Sequence, residues 1–182
     1  MNGSSEEPGA QTRAVGIAPG NFGLLWAVKP SFVSYVSRMP DGKAYLGGGV
    51  GVNADNELLF PFDDEVTGEG APAGNPDEHT FRFGGDVVFQ AHFGMLLVRI
   101  SRPQVHLRGT AGELTVIDPE SADGGRLPLV TFSAVEAGAR DGARYWAADD
   151  VRLTVDGVPV FGDVYPADEP FAPLMIAIPS QP

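Results

Sequence analysis

Ser31 and Tyr35 stand four residues apart in the mostly apolar stretch WAVKPSFVSY, residues 26–35. At helical spacing the two hydroxyls share one face, so an alcohol and a phenol would act on the same small volume. The bland reading of a phenol there is a core tyrosine bonded to a backbone partner, and the residue alone does not decide its use. The third capable side chain is His92, at the end of DVVFQAHFGM among Phe89, Phe93 and Met95. Its imidazole is expected at the rim of an apolar region, where a turn carbonyl would satisfy it or chemistry would use it. His79 and His106 read as surface residues, since neither shows the spacing of a ligand set.

The elements that carry these groups follow from pattern. Pro30 fits the first turn of a helix, and Phe32, Tyr35 and Val36 recur at helical spacing, so PSFVSYVSR is expected to form two turns that end at MPDG. After it, short runs with alternating character are separated by turn signals: KAYLGGGVGV, NELLFPF, HTFRFGGDVVFQAHF, MLLVRISRPQVHL, GELTVID, LPLVTFSAV, ARYWAA and DVRLTVDGVPVF. That rhythm predicts an all-β single domain, a sandwich or barrel of many short strands with one or two short helices. ADNE and VDGV carry hairpin-type turn chemistry, and Gly94 suits a tight turn. Residues 1–21 read as a flexible polar arm and 22–182 as the β domain, closed by a last strand in FAPLMIAIPSQP. The acidic stretch PFDDEVTGEGAPAGNPDEH reads as a long solvated loop.

Composition narrows the functions. With 24 Gly and 16 Pro among 182 residues, the chain has turns enough for a β protein and too many for a helical bundle. A net charge of −12 argues against nucleic acid and anionic membrane as partners. The chain has no Cys, which removes disulfides, thiolate metal sites and cysteine nucleophiles. GxSxG, phosphate-loop and HExxH signatures are missing, and LGGGVGV, only loosely GxGxxG, reads better as a flexible strand or bulge. No stretch has the length of a membrane span, and the first 20 residues hold no apolar run of signal-peptide length. As it stands the sequence is expected to remain in the cytoplasm, or to be secreted or held at the cell surface if a leader has been removed.

Three segments in order resemble the HtaA-type haem-binding domain of bacterial haem-uptake proteins. LLWAVKPSFVSYV is similar to that family's opening W-x-V-K-x-S-F-x-x-Y, DVVFQAHFGMLLVRISRPQVHLRGTAGELTVID to its F-x-x-H-x-G segment and following strand, and LTVDGVPVFGDVYPADEPFAPLMIAI to its closing pattern. The resemblance implies an axial tyrosine at Tyr35, a histidine hydrogen-bonded to it at His92, a further pocket tyrosine at Tyr165, and Ser31 as the serine of the first motif. It implies Fe(III) protoporphyrin IX as the cofactor or cargo, with Phe32, Phe93, Met95 and Leu96 as an apolar slot and Ser31 toward a propionate. A phenol with an ordinary pKa near 10 ligates well once Fe(III) and a hydrogen-bond partner stabilise its phenolate. The function implied is haem capture or relay without catalytic turnover.

The departures from the family pattern motivate a second reading. Phe93 follows the histidine where the family has an acidic or small residue, MLLV is more apolar than its counterpart, and Phe171-Ala172-Pro173 replaces Leu-Asp-Pro. A greasier pocket suits a cofactor-independent cytoplasmic cyclase that folds a flexible polyketide-like substrate, with Tyr35, His92 and Tyr165 bonding to it or moving a proton. A purely structural or interaction domain is the third reading.

Overall fold

In a computed structural model, described for Ile17 and for residues 21–66 and 77–180, eight antiparallel strands close into a barrel. The ring runs β1 (Gly23–Trp26), β12 (Leu174–Pro179), β11 (Ala143–Leu153), β10 (Arg126–Arg140), β9 (Ala111–Ile117), β8 (Gln104–Arg108), β5 (Glu78–Phe83) and β4 (Leu58–Glu65). Pairing of β1 with β4, in the register Leu24 to Phe60 and Trp26 to Leu58, shuts it. A two-residue strand β3 (Gly51–Val52) extends β4, and a separate sheet holds β2 (Lys43–Gly47), β6 (Asp86–Ala91) and β7 (Leu96–Ser101). One helix, α1 (Pro30–Arg38), matches the expected boundaries.

Period-two alternation sorts side chains to the two faces of the wall. Leu24 and Trp26 of β1, Trp146 and Ala148 of β11, and Leu174, Ile176 and Ile178 of β12 join the main core with Phe60, Phe81 and Phe83. Their neighbours Leu25, Tyr145 and Ala177 face outward and form a smaller cluster, which Ile17 covers. Ile17 belongs to the arm expected to be flexible, yet it is buried; the remainder of that arm up to Gly20 lies outside the described residues. Among the described residues no buried side-chain polar atom lacks a partner, and the Trp26 indole N–H donates to the Ala172 carbonyl at 3.0 Å.

Several expected runs break where the backbone turns. HTFRFGGDVVFQAHF divides into β5 and β6 at Gly85, whose φ of 92° needs glycine. MLLVRISRPQVHL divides into β7 and β8 at Arg102-Pro103. The acidic stretch is part strand, Pro61–Glu65 ending β4 and Glu78 and His79 opening β5, and residues 67–76 lie outside the described region. ADNE makes the expected turn before β4, with the Asn53 side-chain oxygen accepting from the N–H groups of Asp55 and Glu57. VDGV does not join two strands of a hairpin. There the Thr154 hydroxyl oxygen accepts from the Gly157 N–H, and the chain enters a 3-10 turn, Pro159–Phe161, that buries Val160 and Phe161. No helix among the described residues is long and apolar enough to cross a membrane.

Candidate functional site

Helix α1 divides its residues between core and cleft. Phe32 and Val36 are buried, with the Phe32 ring edge-on to Phe89 at 5.3 Å and to Phe161 at 5.5 Å. Ser31 and Tyr35, each one position before a buried residue, turn instead to a cleft of about 530 Å³. Its walls are Phe32, Met95, Leu96, Phe161 and Val164, and its polar groups belong to Ser31, Tyr35, His92 and Tyr165. That size and this scarcity of polar groups are typical of small-molecule sites.

In the lining of the cleft Tyr35 Oη and His92 Nε2 lie 2.5 Å apart, although the residues are 57 positions apart in sequence. Tyr35 is therefore not a core tyrosine with a backbone partner: 43% of it is exposed, and its hydroxyl meets an imidazole. The reason is local, since Phe32 and Val36 use the core-facing stripe of the helix and leave Tyr35 on its edge.

His92 reaches Tyr35 through an uncommon backbone. His92, Phe93 and Gly94 follow β6 with φ values of 53°, 57° and 86°. Left-handed conformation costs a non-glycine residue about 1–2 kcal/mol, and a bulky side chain there is a genuine outlier. The Asp41 carboxylate holds the turn, accepting from the Phe93 N–H at 2.5 Å and the His92 N–H at 3.3 Å. The Phe93 bond, aided by that from His92, holds the Asp41 carboxyl below its ordinary pKa.

The opposite wall is fixed from the start of α1. Val28 is fully buried at φ 60°, another strained position, and its carbonyl accepts from the Ala172 N–H at 2.8 Å. Lys29 then reaches Glu169 at 2.8 Å and the Pro170 carbonyl at 2.9 Å, with its ammonium 5.0 Å from the centre of the Tyr165 ring. Tyr165 also meets Phe161 and Phe171 edge-on.

The cleft thus brings together Ser31, Phe32, Tyr35, His92, Met95, Leu96 and Tyr165 from the sequence-based set. Phe93 falls outside it: 94% exposed, its side chain is sent outward by the left-handed turn, away from the slot where it was expected. Phe161, Gly162, Val164, Lys29 and Asp41 were not singled out from sequence. Asp41 carried only the signature of a helix stop, and Lys29 stood inside the first motif without a role.

The other two histidines are more buried than surface residues would be. His79 stacks on Phe81 at 5.5 Å and meets Glu65 at 3.1 Å. His106 lies between Thr80 at 3.1 Å and the Gln104 amide at 3.0 Å, and its burial lowers its pKa. A larger groove of about 680 Å³ crosses the outer face of β8 to β11 beside His106. It mixes Arg108 and Arg152 with Glu113, Asp150 and Asp168, a lining unsuited to a flat apolar ligand. Among the described residues no three His, Asp or Glu side chains are grouped to hold a metal ion. A metal at Tyr35 would need to bring most of its ligands with it, as a porphyrin does.

Comparison with known proteins gives a consistent picture. A family model described as HtaA matches residues 21–177. The crystal structure of the C-terminal domain of HtaA from Corynebacterium glutamicum superposes with a TM-score of 0.68 at 22% identity, covering 86% of this chain and 96% of that one. The N-terminal domain of the same protein gives 0.62 at 20% identity over 89% and 99%. The haem-binding protein HtaB from that organism gives 0.59 at 19% identity over 86% and 91%. At these identities the likeness is one of fold. No curated protein matches the chain significantly.

Proposed function

The chain belongs to the HtaA family, and from that premise we propose that it binds ferric haem in the cleft beside α1, with Tyr35 as the axial ligand and His92 as the partner of the ligating oxygen. The observation that carries this reading is the contact of Tyr35 Oη with His92 Nε2 in a mainly apolar cleft. A phenol and an imidazole in contact form a poor site for a bare cation and a good one for iron that already holds four ring nitrogens. The described relative whose name states haem binding, HtaB, shares the fold.

The residues divide the work. Tyr35 would give up its phenolic proton on ligating the iron, and His92 Nε2 is placed so that it could take that proton or donate its own N–H to the phenolate. Either way the phenolate is stabilised where it forms. Phe32, Leu96 and Phe161 would form the apolar wall against the ligand, with the exposed Met95 and Val164 completing the lining. Ser31 lies at the first turn of α1, where its hydroxyl suits a propionate; Pro30 has no N–H, and those of Phe32 and Val33 donate to the Lys29 carbonyl. When bound, ferric iron would supply the Lewis acidity that favours the phenolate; the chain would supply its position and an apolar wall. The role is capture or relay, without turnover.

Replacing Tyr35 with Phe removes one hydroxyl from a partly exposed position. The variant should keep wild-type stability within about 0.5 kcal/mol and lose the tyrosinate charge-transfer band of the ferric complex. An unchanged spectrum in Tyr35→Phe would show that the ligand is another residue.

A further inference from the structure

We infer that Asp41 is a positioning residue for the haem site: its carboxylate holds the left-handed turn at His92 and Phe93, and so places the His92 imidazole against Tyr35. The inference rests on the haem reading for its consequence and on the structure for its geometry. Asp41 does not itself line the cleft and reaches it only through the backbone of His92 and Phe93. Both its carboxylate oxygens are used, Oδ2 by the Phe93 N–H and Oδ1 by the His92 N–H. These two N–H groups belong to the two non-glycine residues at positive φ in the turn. Without the carboxylate, His92 and Phe93 are free to relax toward the ordinary extended region, and the imidazole leaves the phenol.

Asp41 is in turn held by the end of α1. The Gly42 N–H donates to the Met39 carbonyl at 3.0 Å, and a Cβ at Gly42 would stand 1.7 Å from the Val36 carbonyl oxygen. The chain can therefore pass this close under the helix only with glycine at 42, and that passage presents Asp41 to the β6–β7 turn. One helix thus supplies both the ligand, from its middle, and the brace for the ligand's partner, from the turn that ends it.

A double-mutant cycle in ferric haem affinity tests this. Outer partners of metal ligands are typically worth 10–100-fold in affinity. Asp41→Ala should weaken haem binding by on the order of tenfold and move the charge-transfer band toward its position in His92→Ala. It should add little once His92 is already Ala, because the two act as one unit. Full additivity of the two losses, or an unmoved band and affinity in Asp41→Ala, overturns the inference.

The Asp41 variants are read without haem by the ¹⁵N shift of the His92 ring and by amide exchange at residues 92 and 93. Both should change in Asp41→Ala and partly return in Asp41→Asn, which keeps one acceptor oxygen. If wild type takes up no haem, the haem reading falls, and these signals alone decide on Asp41. Ring shift and exchange rates like those of wild type in Asp41→Ala would then refute it.

Discussion

Protons at two side chains set how the scaffold of this site responds to pH. His106 is neutral between Thr80 and Gln104, and burial holds its pKa below the ordinary 6.5. A lowered pKa in the folded state means that the unfolded chain binds the proton more readily, so stability is fully present above pH 6.5 and is lost as pH falls through the folded value. Asp41 follows the same sign in a lower window, beneath its ordinary 3.8. Urea unfolding at a series of pH values should therefore show stability falling on acidification below pH 6.5, and His106→Gln should flatten that first decline. A slope unchanged in His106→Gln would place the titration elsewhere. At Tyr35 the residue type and its helical spacing from Ser31 were legible in sequence, whereas its exposure was not. The apolar neighbours suggested burial, but the stripe of Phe32 and Val36 claims the core.

Helix α1 and the β6–β7 turn form the part of the fold where sequence and structure correspond most informatively. The helix boundaries followed from Pro30 and from the stop at MPDG, because both signals act through the local backbone. The turn at HFG was visible through Gly94, yet the left-handed state of His92 and Phe93 was not, since it depends on Asp41 from another element. The outward course of Phe93 follows from that conformation and explains why a residue that read as part of the slot lies outside it. Gly42 offers a direct check of the element. Gly42→Ala forces a methyl against the Val36 carbonyl, so it should cost on the order of 1–3 kcal/mol in unfolding free energy and weaken haem binding as Asp41→Ala does. Wild-type values for both would mean that the helix end does not need its close passage.

Across the molecule, β1 is the strand on which closure depends, because it pairs with β4 on one side and β12 on the other. Composition and alternation foretold a β domain of short strands, but the pairing of the first strand, β1, with the last, β12, lies in no local pattern. VDGV illustrates the same limit: its turn chemistry is used, but for a 3-10 turn that sends Phe161 under the cleft rather than for a hairpin. The outer face of β1 is covered by Ile17, which packs with Leu25, Tyr145 and Ala177. Ile17→Ala should lower stability by roughly 2 kcal/mol, the lower end for a buried isoleucine, with haem affinity unchanged because the cluster faces away from the cleft. A loss much below that would mean that this stretch contributes little to closing the barrel.

The haem site is tested most directly by adding ferric haem to the purified chain and recording its visible spectrum through a titration. The account predicts a saturable one-to-one change with a tyrosinate charge-transfer band. A spectrum that stays that of free haem, with no saturation, would contradict it and leave membership of the HtaA family as a statement about the fold.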